Sequence, residues 1–185
     1  MYKRQDLSFH PEFWLVHNAM DNPVVYGQKH KTEFEDLADI ADLAIQGPTE
    51  KVISYLAMRL KAKSSSAFWA LQTCTQLGSD DPRLVEAAKT HLDSKHQLAR
   101  TYAAEYLGTI RAIDPVPTLL DVLATSESEV ETLRIMNTVV FLRDFHGYKI
   151  EIDPAKVKSG GGEVSRRISY LTGQPHKKPR KKKKG

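Results

Sequence analysis

The sequence predicts an all-α fold: a short right-handed α-solenoid of helix pairs, followed by a disordered basic tail. Three observations predict it. Apolar residues recur at helical spacing from Phe34 to Leu142. The stripes they form repeat along the chain at shifts of 30 to 35 residues. Starts and stops of helices fall at matching places in successive units.

Residues 1–31 form an irregular N-terminal segment, interrupted by Pro11 and Pro23, with Phe9, Phe13, Trp14, Leu15, Val24, Val25 and Tyr26 as scattered apolar anchors. Such a segment suits either a cover for one end of a stack or a linker packed on another domain. Met1–Gln5 (MYKRQ) resemble a translated adapter remnant, so the expectation is that Met1 is not a biological start and that a larger protein once preceded it. The repeat region is read as 32–147. Thr32 and Glu35 have the spacing of a capping box, and Gly47 is a plausible left-handed stop for the helix they open.

Three pairs are expected to follow. The first has helices from Thr49 to about Ala62 and from about Ser66 to Leu77, ending at Gly78. In the second, Asp81 caps a helix with Pro82 at its first position, where the missing N–H costs nothing. That helix is expected to reach Leu92, with a partner from Ser94 to Leu107 that stops at Gly108. In the third, Asp114-Pro115 repeat the start and the helix reaches Ala124. Ser126 with Glu129, or Ser128 with Glu131, opens the last long helix, which ends before Gly147. Residues 148–174 are expected to hold an extended segment, Tyr148–Ile152, a short turn at Asp153-Pro154, a glycine break at 160–162, and a helix carrying Val164, Ile168 and Leu171. Residues 175–185 have nothing to bury, so disorder is expected there.

The repetition is the stronger signal. Phe68, Leu71, Cys74 and Leu77 correspond to Leu98, Thr101, Ala104 and Leu107, and again to Leu133, Met136, Val139 and Leu142. Units of this length leave an apolar face that only a neighbouring unit can cover. HEAT-like pairs fit best, because the signature residues of tetratricopeptide and ankyrin repeats are missing.

Composition narrows the function. With 185 residues, 41% hydrophobic and 8% aromatic, the chain suits one helical domain. No stretch approaches the ~20 apolar residues of a membrane span. The net charge of +4 conceals a division. Lys177, Lys178, Arg180, Lys181, Lys182, Lys183 and Lys184 supply seven positive charges, so residues 1–176 carry a net −3. That balance argues against a broad nucleic-acid platform, which needs clustered positive charge.

The run from Phe34 to Asp144 resembles the helical repeat region at the C-terminus of many bacterial sulfatases. EFEDLADIADLA (33–44) is similar to the opening helix of such regions, SAFWALQTCTQLG (66–78) to a first repeat helix, and QLARTYAAEYLG (97–108) to a second. GEVSRRISYLTG (162–173) and the lysine-rich end fit as well. The resemblance implies an accessory module that follows a catalytic α/β domain, whose partner would be that domain, in a sulfuric ester hydrolase of the periplasm or cell surface. The family's nucleophile comes from the Cys of a Cys-x-Pro/Ala-x-Arg motif. Here Cys74 is followed by Thr75-Gln76-Leu77-Gly78, so no catalytic residue carries over. A free-standing scaffold for a protein partner is the alternative, and a nucleic-acid-binding HEAT protein a further one.

No residue pattern within the chain marks a catalytic, cofactor or metal site. Cys74 takes a repeat position filled elsewhere by Ala104 and Val139, which suggests a small buried residue. His10, His17, His30, His91, His96, His146 and His176 are scattered without ligand spacing. Asp80-Asp81 and Glu127, Glu129 and Glu131 sit where helices start, as caps and dipole partners do. Phe13-Trp14 and Phe68-Trp69 are expected to pack rather than to stack on a ligand. The remaining binding signal is the tail, Lys177 to Lys184. It would attract phosphate or sulfate polyanions without reading sequence, or stand solvated with no dedicated partner.

Overall fold

The computed structural model describes residues 45–61, 67–158 and 160–173. Among them the chain is all-helical, with no strand. Seven α-helices follow one another: α1 (Glu50–Lys61), α2 (Ala67–Leu77), α3 (Pro82–Lys89), α4 (Gln97–Thr109), α5 (Val116–Thr125), α6 (Glu129–His146) and α7 (Gly162–Thr172). A 3-10 turn, Pro154–Lys156, precedes the last. The capping box at Thr32, residues 33–44 of the helix expected after it and the tail from Pro175 lie outside the described residues, while Ile45 and Gln46 are helical.

The helix signals read from the sequence act locally. Gly47, Gly78, Gly147 and Gly173 all have positive φ, the left-handed conformation that ends a helix without a Cβ clash. The Arg83 N–H donates to Asp81 Oδ1 at 2.9 Å, and the Val116 N–H to Asp114 Oδ1 at 3.1 Å, but only Asp81 is the N-cap with its proline inside the helix; at the second start Pro115 takes the cap position and the helix begins at Val116. At α6 the cap is Ser128, whose Oγ accepts from the Glu131 N–H at 3.4 Å. Ser126 is instead fully buried, and its Oγ accepts from the Thr132 hydroxyl at 3.0 Å.

Three boundaries in the second pair differ from expectation. The helix opened by Asp81 stops at Lys89, not Leu92. The Thr90 hydroxyl donates to the Ala87 carbonyl at 2.7 Å, and a turn at 90–93 carries the His91 ring inward, where its Nε2 meets the Leu60 carbonyl at 2.8 Å. Ser94 caps no helix: its Oγ accepts from the His96 N–H at 3.2 Å, and α4 begins at Gln97. At its other end α4 runs through Gly108 to Thr109. The left-handed residue after it is Arg111, at φ 61°.

Helices touch both within and between pairs. α1 packs on α2, α3 on α4, and α5 on α6, while α1 also packs on α3, α2 on α4, and α4 on α6. α4 further contacts α5, and α7 closes against α6. Side chains bury in two apolar clusters. The first joins α1 to α4 through Leu56, Leu60, Leu71, Cys74, Leu84, Tyr106 and Leu107. The second joins Ala104 to α5, α6, α7 and the extended segment through Leu119, Leu123, Ile135, Met136, Leu142 and Val164. Ile150 and Ile152 are buried there as well, so residues 148–152 lie extended against the last pair without forming a strand. Each fully buried leucine contributes ~2 kcal/mol, more than a capping bond of ~1 kcal/mol, so contact between neighbours rather than local signals holds the helices together.

Candidate functional site

The residues singled out by sequence do not come together. Cys74 has no exposed surface, and burial pushes its thiol up to about 12, so the thiolate that nucleophilic or redox chemistry needs is suppressed. His91 is spent on the Leu60 carbonyl. His146 ends α6, its ring centre 4.8 Å from that of Phe141 in an edge-to-face arrangement. Burial, and then the Arg111 charge, holds the His146 imidazole below its ordinary value. Among the described residues no group of three or more His, Cys, Asp or Glu side chains could hold a metal ion. His10, His17, His30, His176, Trp14 and the cations Lys177, Lys178, Arg180, Lys181, Lys182, Lys183 and Lys184 lie outside the described residues.

The acidic residues at helix starts serve the helices. Asp81 caps α3 and also receives Arg83, which bridges to Glu50 at 2.6 Å. The hydrogen bonds from Arg83 hold the Glu50 carboxyl down to about 2. The three groups form an exposed network between α1 and α3, worth little in stability because water screens it. Beside it an open depression of about 460 Å³ is lined by Lys61, Pro82, Arg83, Glu86, Ala87 and Thr90. Two of its charged groups are engaged with neighbours, Glu86 with Lys89 and Arg83 with Glu50. Trp69 is half-buried and tilted on Phe68 at 4.4 Å, and Phe68 in turn stacks at 6.1 Å on Tyr102, so these aromatics join α2 to α4.

What the sequence reading missed is a polar row along α2, α4 and α6. Gln72, Tyr102 and Asn137 are related by the same shifts, 30 and 35, that relate the apolar stripes. Gln72 is 6% exposed, and Gln72 Oε1 and Asn137 Oδ1 are buried without a hydrogen-bond partner. Glu105, 4% exposed, accepts from the Thr138 hydroxyl. Buried polar atoms are normally paired, so this row departs from ordinary core packing. The signal was present in the repeat register, but attention to apolar positions alone passes over it.

Charge sharpens the reading of the surface. Acidic and basic side chains balance among the described residues, so the negative excess of residues 1–176 belongs to positions outside them, chiefly Glu33, Glu35, Asp36, Asp39 and Asp42. No helix of the described residues is long and apolar enough to cross a membrane. Comparison with protein-family models, with curated proteins and with solved structures gave no match.

Proposed function

We propose that this chain is a non-catalytic module of HEAT-like helix pairs arranged as a short right-handed solenoid, and that it is the C-terminal accessory region of a sulfatase-like hydrolase, packing against the catalytic domain. One observation carries the module reading: helices pack within their own pair and also between pairs, α1 on α3, α2 on α4 and α4 on α6. The resemblance of segments 33–44, 66–78, 97–108 and 162–173 supports the family. The buried thiol and the absence of a Cys-x-Pro/Ala-x-Arg motif support a role without chemistry of its own.

The coding sequence upstream of Asp6 tests the parentage. A sulfatase-like domain with its Cys-x-Pro/Ala-x-Arg motif, in frame, is the expected result; an unrelated domain or an in-frame stop would refute it. The second reading is a free-standing scaffold for a protein partner. A nucleic-acid role falls to the tail alone, since the described surface carries no net positive charge. Oligonucleotide affinity that survived removal of residues 175–185 would overturn that assignment.

A further inference from the structure

We propose that the helical stack carries a built-in hinge between its second and third pairs, at which α5, α6, α7 and the extended segment come away and open as one cooperative unit while α1 to α4 stay folded.

The two apolar clusters meet at α4 but scarcely share side chains. Tyr102, Ala103, Tyr106 and Leu107 belong to the first cluster and Ala104 to the second, with only the partly buried Leu92 packed against both among the described residues. The junction between first and second pairs is different in kind. Leu56, Leu60, Leu71, Leu84 and Leu107 share one core there, so separating those pairs would expose a large apolar area.

Polar bonds hold the second junction instead. Thr138 donates to the buried Glu105. Arg100 pairs with Asp121 at 2.5 Å, and Gln97 Nε2 donates to the Thr125 hydroxyl at 3.2 Å. The Tyr148 hydroxyl reaches back from beyond α6 to the Gly108 carbonyl at 2.8 Å. The Arg111 guanidinium lies 4.4 Å from the centre of the Tyr148 ring and donates to the His146 carbonyl. Water can replace each of these bonds at small net cost, whereas it cannot replace leucine contacts. The stack therefore yields first where polar bonds, not side-chain volume, join its parts. The turn between α4 and α5, with Arg111 at φ 61°, is the pivot, and Tyr148 is the clasp across it.

Hydrogen exchange of the full chain in low denaturant, followed by mass spectrometry, tests this on the wild type and on Tyr148→Phe, which keeps the ring and removes the hydroxyl. In the wild type, amides of 116–172 should open together, below the protection of α2 and α4. In Tyr148→Phe the same amides should exchange about five-fold faster, the change one ordinary hydrogen bond makes, with α2 unaltered. Equal protection of both blocks in the wild type would overturn the hinge. So would acceleration by Tyr148→Phe that is spread evenly over the chain, concentrated in α1 to α4, or absent.

Discussion

Replacing Gly108 by alanine sets two effects against each other, and the structure decides between them. Glycine in a helix interior costs about 1 kcal/mol relative to alanine, so propensity alone predicts a gain of that size. A Cβ at Gly108, however, would stand 2.8 Å from Pro115 Cγ, 3.1 Å from its Cβ and 3.3 Å from its Cδ. The proline is buried and opens α5, so its ring has little room to retreat. Overpacking of this kind costs about 1–3 kcal/mol. Moving the turn away would also pull the Gly108 carbonyl from the Tyr148 hydroxyl, a further loss of about 1 kcal/mol. The net expectation is a loss of about 1–3 kcal/mol, with the steric effect winning. In a Pro115→Ala background the obstruction is gone, and Gly108→Ala should become neutral or stabilising by up to about 1 kcal/mol. Urea denaturation of the four proteins, followed by circular dichroism, gives the double-mutant cycle. Stabilisation of the otherwise unchanged protein by Gly108→Ala, or a coupling energy within about 0.5 kcal/mol of zero, would refute the close approach as the reason for glycine.

Asp81→Ala and Asp114→Ala should each lower stability by about 1 kcal/mol in urea denaturation, and additively, because the two carboxylates serve separate helices; no loss from either, or strongly coupled losses, would contradict their role at the helix starts. Cys74 should resist a thiol reagent at pH 8 in the folded protein and react fully in denaturant, since burial raises its thiol to about 12; rapid labelling of the native chain would show the site to be open. His146 binds a proton less readily folded than unfolded, so its contribution is complete above the ordinary 6.5 and is lost as pH falls below it. The stability of His146→Gln should therefore fall less than that of the wild type between pH 7 and 5, and identical profiles would rule out that contribution.

Local chemistry was legible in the sequence because it needs only neighbours along the chain. Asp81 and Asp114 each accept from a backbone N–H two residues on at a helix start, and Gly78, Gly147 and Gly173 adopt left-handed backbone for want of a Cβ. The repeat register also marked much of the core: Leu71, Cys74, Leu107, Met136, Val139 and Leu142 lose their exposure, while Phe68, Leu77, Leu98 and Leu133 of the same register stay partly exposed. These are consequences of helical period and turn geometry alone.

Contacts across the fold decided the rest. Gly108 has the sequence appearance of a stop, yet it stays helical because Pro115 packs where a side chain would be. α3 ends early because His91 is drawn to a carbonyl 31 residues away, and Ser128 rather than Ser126 caps α6 because Ser126 is enclosed with Thr132. The polar row at Gln72 and Asn137, and the polar junction around Glu105 and Tyr148, depend on which helix faces show each other across the stack. Helical period and caps, set by bonds a few residues long, were thus determined by the sequence itself. Where helices stop, which glycine is irreplaceable and where the two cores divide depend on contacts between side chains of different elements, and only the tertiary structure brings those together.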